Sequence, residues 1–202
     1  MLRKLRFRGQ DQTAPARRRS DDASEVALVA RVAGGDRRAF EVLYRAYHPR
    51  LDRFIGLMTT RRTLIEEVLN DTMFVVWRRA DSYSGQSKVS TWIFAIAYRT
   101  ALKALRGHDE PVDGAAVDEI LSDDPDPEQQ LSAGETRAAL GRALEGLSAE
   151  QRSVLVLSYF HELPYAEIAR IVDCPVDTVK TRVFHGRRRL RALLGDGLEA
   201  AS

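Results

Sequence analysis

The sequence predicts an all-α protein in which two small helical domains, an N-terminal helical bundle and a C-terminal helix-turn-helix, are joined by a flexible acidic linker. Apolar residues recur at three- and four-residue steps on both sides of a central segment, whereas no convincing alternating strand or internal repeat occurs. The central segment, "GHDEPVDGAAVDEILSDDPDPEQQLSAGE", is acidic, contains prolines and glycines, and lacks periodicity, so it cannot bury enough apolar surface to order itself. The predicted boundaries are 1–21 for a basic disordered tail, 22–107 for the first domain, 108–134 for the linker, 135–195 for the second domain and 196–202 for a second tail.

Composition limits the class of protein. The chain has 202 residues, and its net charge of +2 conceals a basic N-terminal tail, the acidic centre and a basic C-terminal "GRRRLRALL". A small net charge does not exclude nucleic-acid binding, because a basic face in one part of the chain can be offset by acidic residues in another part. No apolar run approaches the roughly 20 residues that span a bilayer, and Cys174 is the only cysteine. We therefore expect a cytoplasmic protein with no direct membrane insertion.

The sequence also lacks the signatures of an enzyme. It contains no Gly-rich phosphate loop, nucleophile elbow or kinase motif, and its carboxylates form no pair in a recognisable catalytic frame. The four histidines are scattered, without metal-ligand spacing. We expect no catalytic residue, no metal, no cofactor and no small-molecule substrate.

Three helices are predicted in the first domain. The apolar positions from Phe40 to Met58 define a long helix, Thr63 and Glu66 resemble a capping box that opens the next, and "STWIFAIAYRTALKALR" defines a third. The third helix has an apolar face and an opposite face with Trp92 among cations. An aromatic among cations suits unstacked bases and their backbone. The alternative is that Trp92 belongs to the core and the cations are solvated surface.

The second domain contains two short helical patterns separated by a helix-breaking segment, in "YAEIARIVDCPVDTVKTRVFHGRRRL". Ser148 and Gln151 predict a capping box upstream of this stretch. On a helical wheel after Pro175, an inner face comprises Val176, Val179, Val183, Leu190 and Leu194. The opposite face comprises Asp177, Thr181, Phe184, His185 and Arg188. Lys180, Arg187 and Arg191 flank that face on one edge, and Thr178, Arg182 and Arg189 on the other. This arrangement is typical of a major-groove recognition helix; the alternative is a solvated charged face.

The residues in both domains resemble one family. "LSAEQR", "YAEIA" and "TVKTRVFHGRRRL" resemble the C-terminal promoter-binding domain of the extracytoplasmic function (ECF) sigma factors of the sigma-70 family. "GDRRAFEVLYRAY", "IEEVLNDTMFVVWRR" and "YSGQSKVSTWIFAIAYR" resemble, in order and spacing, the N-terminal domain of the same family. Together the matches cover about 22–194, and only the basic tail and the acidic linker fall outside them.

The resemblance implies a transcription initiation factor that carries core RNA polymerase to promoter DNA and assists promoter melting. It also implies an anti-sigma factor as a partner, and it assigns roles by position. Residues expected to bind the clamp of the largest polymerase subunit are Glu67, Asn70, Asp71, Phe74 and Trp77. Residues expected at the minus-ten element and its melting strand are Tyr83, Ser84, Gly85, Gln86, Ser87, Lys88, Trp92, Arg99 and Lys103. Residues expected at the minus-thirty-five element are Thr178, Lys180, Thr181, Arg182, Phe184, His185, Arg187 and Arg188.

The sequence departs from the family at two of these positions, since Arg99 and Lys103 stand where the family commonly has Asn and then Asp. Two other functions stay open at this level. One is a stand-alone helix-turn-helix regulator that binds operators without polymerase. The other is a module that sequesters an anti-sigma factor without initiating transcription.

Overall fold

The structure, a computed structural model, describes residues 16–106 and 139–199, with side chains for 22–106 and 139–195. Every regular element in these two ranges is a helix. The N-terminal part contains α1 (Ala16–Ala33), α2 (Arg37–Gly56), α3 (Arg62–Arg78), a short 3₁₀ helix (Ala80–Ser82) and α4 (Val89–Arg106). The C-terminal part contains helical residues 139–145, then α5 (Ala149–Tyr159), α6 (Tyr165–Val172) and α7 (Val176–Glu199). No helix in the described part of the chain is both long and apolar enough to cross a membrane.

Helix α2 is capped at its N-terminus and buries one of its faces in the first bundle. The carboxylate of Asp36 accepts hydrogen bonds from the backbone amides of Arg38 and Ala39, at 2.9 and 3.1 Å, and these bonds with Arg31 lower the pKa of Asp36. The buried face of α2 follows the predicted three- and four-residue spacing. Its largest fully buried side chains are Leu43, Tyr47, Leu51, Phe54 and Ile55.

The N-terminal boundary differs from the prediction. Helix α1 begins at Ala16, inside the stretch predicted as a disordered tail, and residues 1–15 lie outside the described part. Arginines and alanines favour a helix here, and Val29 and Val32 bury its second half against α2. The hydroxyl of Tyr47 donates to the carboxylate of Glu25 at 2.8 Å, which fixes α1 on α2.

The predicted Thr63 capping box is wrong. Helix α3 starts at Arg62, two residues before the start that this box predicts, and its N-cap, Arg61, makes no side-chain capping bond. Arg62 instead contacts the carboxylates of Asp52 and Glu66, both at 3.3 Å. These ion pairs link the start of α3 to α2 and to its own second turn.

Helix α5 of the second domain begins at the predicted capping box. Ser148 and Gln151 form the reciprocal capping box of α5, so that prediction is confirmed. Helix α6 ends at Val172, and the next residue, Asp173, has a φ of 52° that provides the left-handed turn between α6 and α7. Gly186 lets α7 approach α5 closely, since a Cβ there would lie 3.1 Å from Leu155. One inner-face assignment is wrong: Val176 is exposed, because it occupies the first turn of α7, before the helix reaches the core.

The two domains share one core in this structure. Helix α6 packs along α4, and α5 contacts α2, so buried residues of both domains form a continuous apolar cluster. The predicted linker, 108–134, lies outside the described residues. The described helices of the two domains pack against one another, a contact that the sequence did not predict.

Candidate DNA- and polymerase-binding surfaces

The outer strip of α7 presents a mixed polar and aromatic surface. Thr181, Phe184, His185 and Arg188 are all exposed and recur at helical spacing, with 61% of Phe184 accessible. The rings of Phe184 and His185 meet edge-on with centroids 5.3 Å apart. Such a strip can offer hydrogen bonds and apolar contact to base edges in a major groove.

Three predicted members of this surface are less available. Thr178, Arg182 and Arg187 are partly buried. The guanidinium of Arg182 lies 3.8 Å from Cys174 Sγ and acts electrostatically on the Tyr98 hydroxyl of α4. One edge of the predicted recognition surface is therefore partly buried within the second domain.

Local bonds restrain the first turn of the predicted recognition helix. The ammonium of Lys180 contacts the carboxylate of Asp177 at 2.8 Å, and this contact lowers the pKa of Asp177. The hydroxyl of Thr181 donates to the Asp177 carbonyl at 2.9 Å. Thr181 thus has an acceptor lone pair and a methyl group left for a ligand, because its proton is already engaged.

The loop 83–88 between the 3₁₀ helix and α4 is held in a fixed shape. The hydroxyl of Tyr83 donates to the carbonyl of Ser87, and the Tyr83 ring lies 5.4 Å from that of Trp92. Gly85 has a φ of +72°, which other residues rarely adopt. The loop therefore presents an exposed polar tip of Ser84, Gly85 and Gln86 above a tyrosine–tryptophan base.

Helix α4 separates its apolar and cationic faces as predicted. Phe94, Tyr98 and Ala101 are buried, whereas Arg99 and Lys103 are exposed on the opposite side. Trp92 is half-buried against Tyr83, so it contributes to the base of the loop and keeps one part accessible. The structure thus brings Trp92 close to the loop and leaves Arg99 and Lys103 further along the helix.

Helix α3 carries a separate exposed strip. Glu67, Asn70, Asp71 and Phe74 recur at helical spacing and are all exposed, with 59% of Phe74 accessible. The guanidinium of Arg78 lies 5.8 Å from the Phe74 ring centroid. Trp77 is half-buried, with its ring 5.1 Å from that of Phe40, so it supports the strip from beneath.

Residues that are far apart in the chain join the two domains. The carboxylate of Glu167 contacts Lys88 Nζ at 2.8 Å and Thr91 Oγ1 at 3.3 Å. The guanidinium of Arg152 donates to the carbonyl of Met58 at 2.6 Å, and His161 packs on the Phe94 ring. No spacing could reveal these pairs, since their members lie far apart in the chain. Within the described ranges no cluster of His, Cys, Asp and Glu could hold a metal ion.

Family models match both parts of the chain. The model described as Sigma-70 region 2 matches residues 43–110, and the model described as Sigma-70, region 4 matches residues 137–190. The first match takes in α3, the loop 83–88 and α4, and the second takes in α5, α6 and most of α7. The two matches together cover more than half of the chain.

Whole-chain relatives agree with these matches. The chain is 29% identical over 181 residues to the ECF RNA polymerase sigma-E factor of Escherichia coli K12, covering 85% of this chain and 94% of that protein. It is 28% identical over 183 residues to the protein of the same name from Haemophilus influenzae, with 85% and 95% coverage.

Two solved structures share the fold. One is CnrH in complex with the cytosolic domain of CnrY, with a TM-score of 0.63, 22% identity and coverage of 85% of this chain and 97% of that one. The other is the sigma factor RpoE in complex with the anti-sigma factor NepR from Bartonella quintana, with a TM-score of 0.57, 25% identity and coverage of 77% and 96%. Two region matches in the right order, relatives aligned along nearly their full length and a shared all-α fold lead to one conclusion: the chain belongs to the ECF sigma factors of the sigma-70 family.

Proposed function

We propose that this ECF sigma factor binds core RNA polymerase through the α3 strip and directs it to promoters through the α7 strip. The loop 83–88 and the cationic face of α4 then assist strand separation at the minus-ten element. The observation that carries the proposal is that these surfaces are exposed on separate elements, each at the position that the family resemblance implies. The polymerase provides the chemistry of RNA synthesis, so the proposed role requires no catalysis by this chain, and its site of action is the cytoplasm.

Each surface has a chemistry suited to its proposed ligand. Glu67 and Asp71 offer negative charge to basic groups on the polymerase clamp, and Phe74 offers an exposed ring for apolar contact. Arg99 and Lys103 offer positive charge to a phosphate backbone. The tyrosine–tryptophan base of the loop offers aromatic faces for an unstacked base.

We also propose an anti-sigma factor as a regulatory partner. The support is that a sigma factor of the same fold, 25% identical to this chain, was solved in complex with an anti-sigma factor. Its identity and signal are open, and binding of any candidate can be measured against the purified chain.

Run-off transcription with purified core polymerase and a library of promoter fragments tests the central proposal. Specific transcripts should appear only when this protein is added to the core enzyme. Tight, sequence-specific operator binding by the protein alone, with no transcripts on any fragment, would instead support a stand-alone regulator. Binding of an anti-sigma factor without either activity would support a sequestering module.

A further inference from the structure

The loop 83–88 is anchored at both ends by the helices that it joins. At its start, the backbone amide of Tyr83 donates to the carbonyl of Ala80 in the 3₁₀ helix, at 3.3 Å. At its end, the carbonyl of Lys88 accepts a hydrogen bond from the amide of Trp92, at 3.1 Å, in the first turn of α4. The chain therefore enters and leaves the loop in fixed directions.

The tip of this loop is not held by packing. Ser84, Gly85 and Gln86 are all exposed, and a Cβ added at Gly85 would meet no atom within 4 Å. The φ of +72° at Gly85 is a conformation that other residues adopt only under strain. A tip with so little buried surface needs a polar contact beneath it to keep one shape.

The hydroxyl of Tyr83 makes such a contact. It donates to the carbonyl of Ser87 and so crosses the loop from its first residue to its fifth. The ring is itself held, because its centroid lies 5.4 Å from that of Trp92 with the two planes inclined at 52°. A phenylalanine could pack on Trp92 in the same way but could not close the loop, since it has no donor.

Helix α1 supports Tyr83 from behind. Burial raises the pKa of the Tyr83 hydroxyl, and the carboxylates of Asp22 and Glu25 on α1 act in the same direction. The hydroxyl therefore keeps its proton and remains a donor. Glu25 is fixed in turn by the hydroxyl of Tyr47, which donates to it at 2.8 Å. This support comes from outside the matched Sigma-70 region 2, which begins at residue 43.

We propose that Tyr83 is a positioning residue for the minus-ten strand: its hydroxyl closes the loop 83–88 before DNA binds, and the exposed tip is thereby held ready for one unstacked base. This inference rests on the proposed function, which assigns the loop to that strand. A loop that is already closed loses little freedom when the base arrives, so closure raises affinity without any contact between the hydroxyl and the DNA.

Tyr83→Phe tests the closure itself in the free protein. It keeps the ring on Trp92 and removes the bond to Ser87. Nuclear magnetic resonance relaxation should give order parameters of about 0.85 for the amides of residues 84–87 in the parent and below about 0.6 in the variant. Tyr159→Phe, which removes an exposed hydroxyl at the end of α5, is the matched control and should leave these values unchanged.

The second measurement uses the complex with core polymerase and single-stranded minus-ten oligonucleotides in which one nucleotide at a time is abasic. The parent should show one position where loss of the base weakens binding most. Tyr83→Phe should bind the intact oligonucleotide about three- to tenfold more weakly, the effect of losing one hydrogen bond. It should bind the oligonucleotide that is abasic at that position as tightly as the parent does, because no base then enters the loop. Its affinity for polymerase should be unchanged.

Gly85→Ala reaches the same loop without removing the hydroxyl. Because the added Cβ strains a positive φ, it should change the shape of the tip and weaken binding of the intact oligonucleotide, again without effect on the abasic one. Equal affinity of Gly85→Ala and the parent for the intact oligonucleotide would show that the shape of the tip does not matter, and it would overturn the proposal.

Three other results would also overturn it. Parental affinity in Tyr83→Phe for the intact oligonucleotide would remove the positioning role. Weaker binding with parental order parameters would mean that the hydroxyl contacts the DNA instead of closing the loop. A parent that initiates transcription but binds every abasic oligonucleotide equally would remove the unstacked base from this loop. Absence of transcripts with the parent protein is a different result, and it would count against the proposed function itself.

Discussion

The imidazole of His161 lies 4.8 Å from the ring of Phe94 and 6.1 Å from that of Phe54, so a titratable side chain of one domain rests on two aromatic rings of the other. Its buried Nε2 has no hydrogen-bond partner among the described residues. Burial is the main cause that lowers the pKa of His161 from 6.5 to about 4, and the cations Arg50 and Arg53 of α2 act in the same direction. The neighbouring Glu162 is exposed.

Acid should separate the domains through His161. A pKa below that of a free histidine means that the docked state prefers the neutral ring and that the protonated ring favours separation. The stabilisation is therefore fully present above about pH 6.5 and is lost as the pH falls towards 4, by at most about 1.4 kcal/mol per pH unit. In a parent chain with Cys174 replaced by Ala and with spin labels on Ala46→Cys of α2 and Ala192→Cys of α7, two exposed positions, the distance between the labels should accordingly lengthen between pH 7.5 and pH 5.

The variant His161→Phe isolates this effect. It keeps an aromatic ring on Phe94 but cannot be protonated, so the distance should no longer respond to pH in that window. His48→Phe, which replaces a partly exposed histidine outside the interface, should leave the response unchanged. The same pH dependence in His161→Phe as in the parent would assign the response to other groups.

The acidic pair on α3 should govern association with polymerase. Reversing Glu67 and Asp71 to lysines should weaken binding to the core enzyme about tenfold at low salt, mainly through slower association. Surface plasmon resonance measures the rates, and circular dichroism should show the same helix content. Asp81→Lys, at an exposed carboxylate of the 3₁₀ helix, is the control. Loss of folding in the double variant would mean that the carboxylates are structural.

Substitutions in the outer strip of α7 and at its flanking cations should affect promoter binding in different ways. His185→Ala removes a side chain of the outer strip and should change which minus-thirty-five bases are preferred, by about 1–3 kcal/mol at one position. Arg191→Ala removes an exposed flanking cation and should weaken binding to all promoters about equally. The slope of the logarithm of the binding constant against the logarithm of the salt concentration should fall in magnitude by about one. Binding measured over a set of single-base promoter variants separates the two. A uniform loss from His185→Ala would show that this face holds phosphates instead.

Arg99 should act on the backbone of the separated strand. A guanidinium has donors and no acceptor, so it cannot reproduce the hydrogen bonds of the amide that the family commonly has there. Arg99→Ala should slow open-complex formation about tenfold on duplex promoters and have much less effect on a template already mismatched across the minus-ten region. Arg142→Ala, an exposed change in the second domain, is the control. A variant that melts duplex normally but accepts a new minus-ten base would make Arg99 a base reader.

Local sequence patterns predicted the helices but not the contact between the two domains. The apolar spacing of α2 and the Ser148 cap depend on neighbours in sequence, and the structure confirms both. The Thr63 cap is not formed because α3 begins at Arg62, and the pairing of Arg62 with Asp52 of α2 joins residues that local spacing does not relate. The pairing of Glu167 with Lys88 joins residues 79 positions apart, and the acidic segment between them suggested independent domains.

We expect this protein to bring polymerase to a promoter and to open the minus-ten element. Permanganate reactivity of unpaired thymines measures that opening directly on a promoter taken from the run-off screen. Thymines in the minus-ten region should react only when core polymerase and this protein are both present, and the reactivity should fall when Glu67 and Asp71 are reversed. The contrary result would be a promoter that polymerase and this protein together protect but do not open, with no reactive thymine at any temperature at which the polymerase is active. That result would contradict a role in promoter melting.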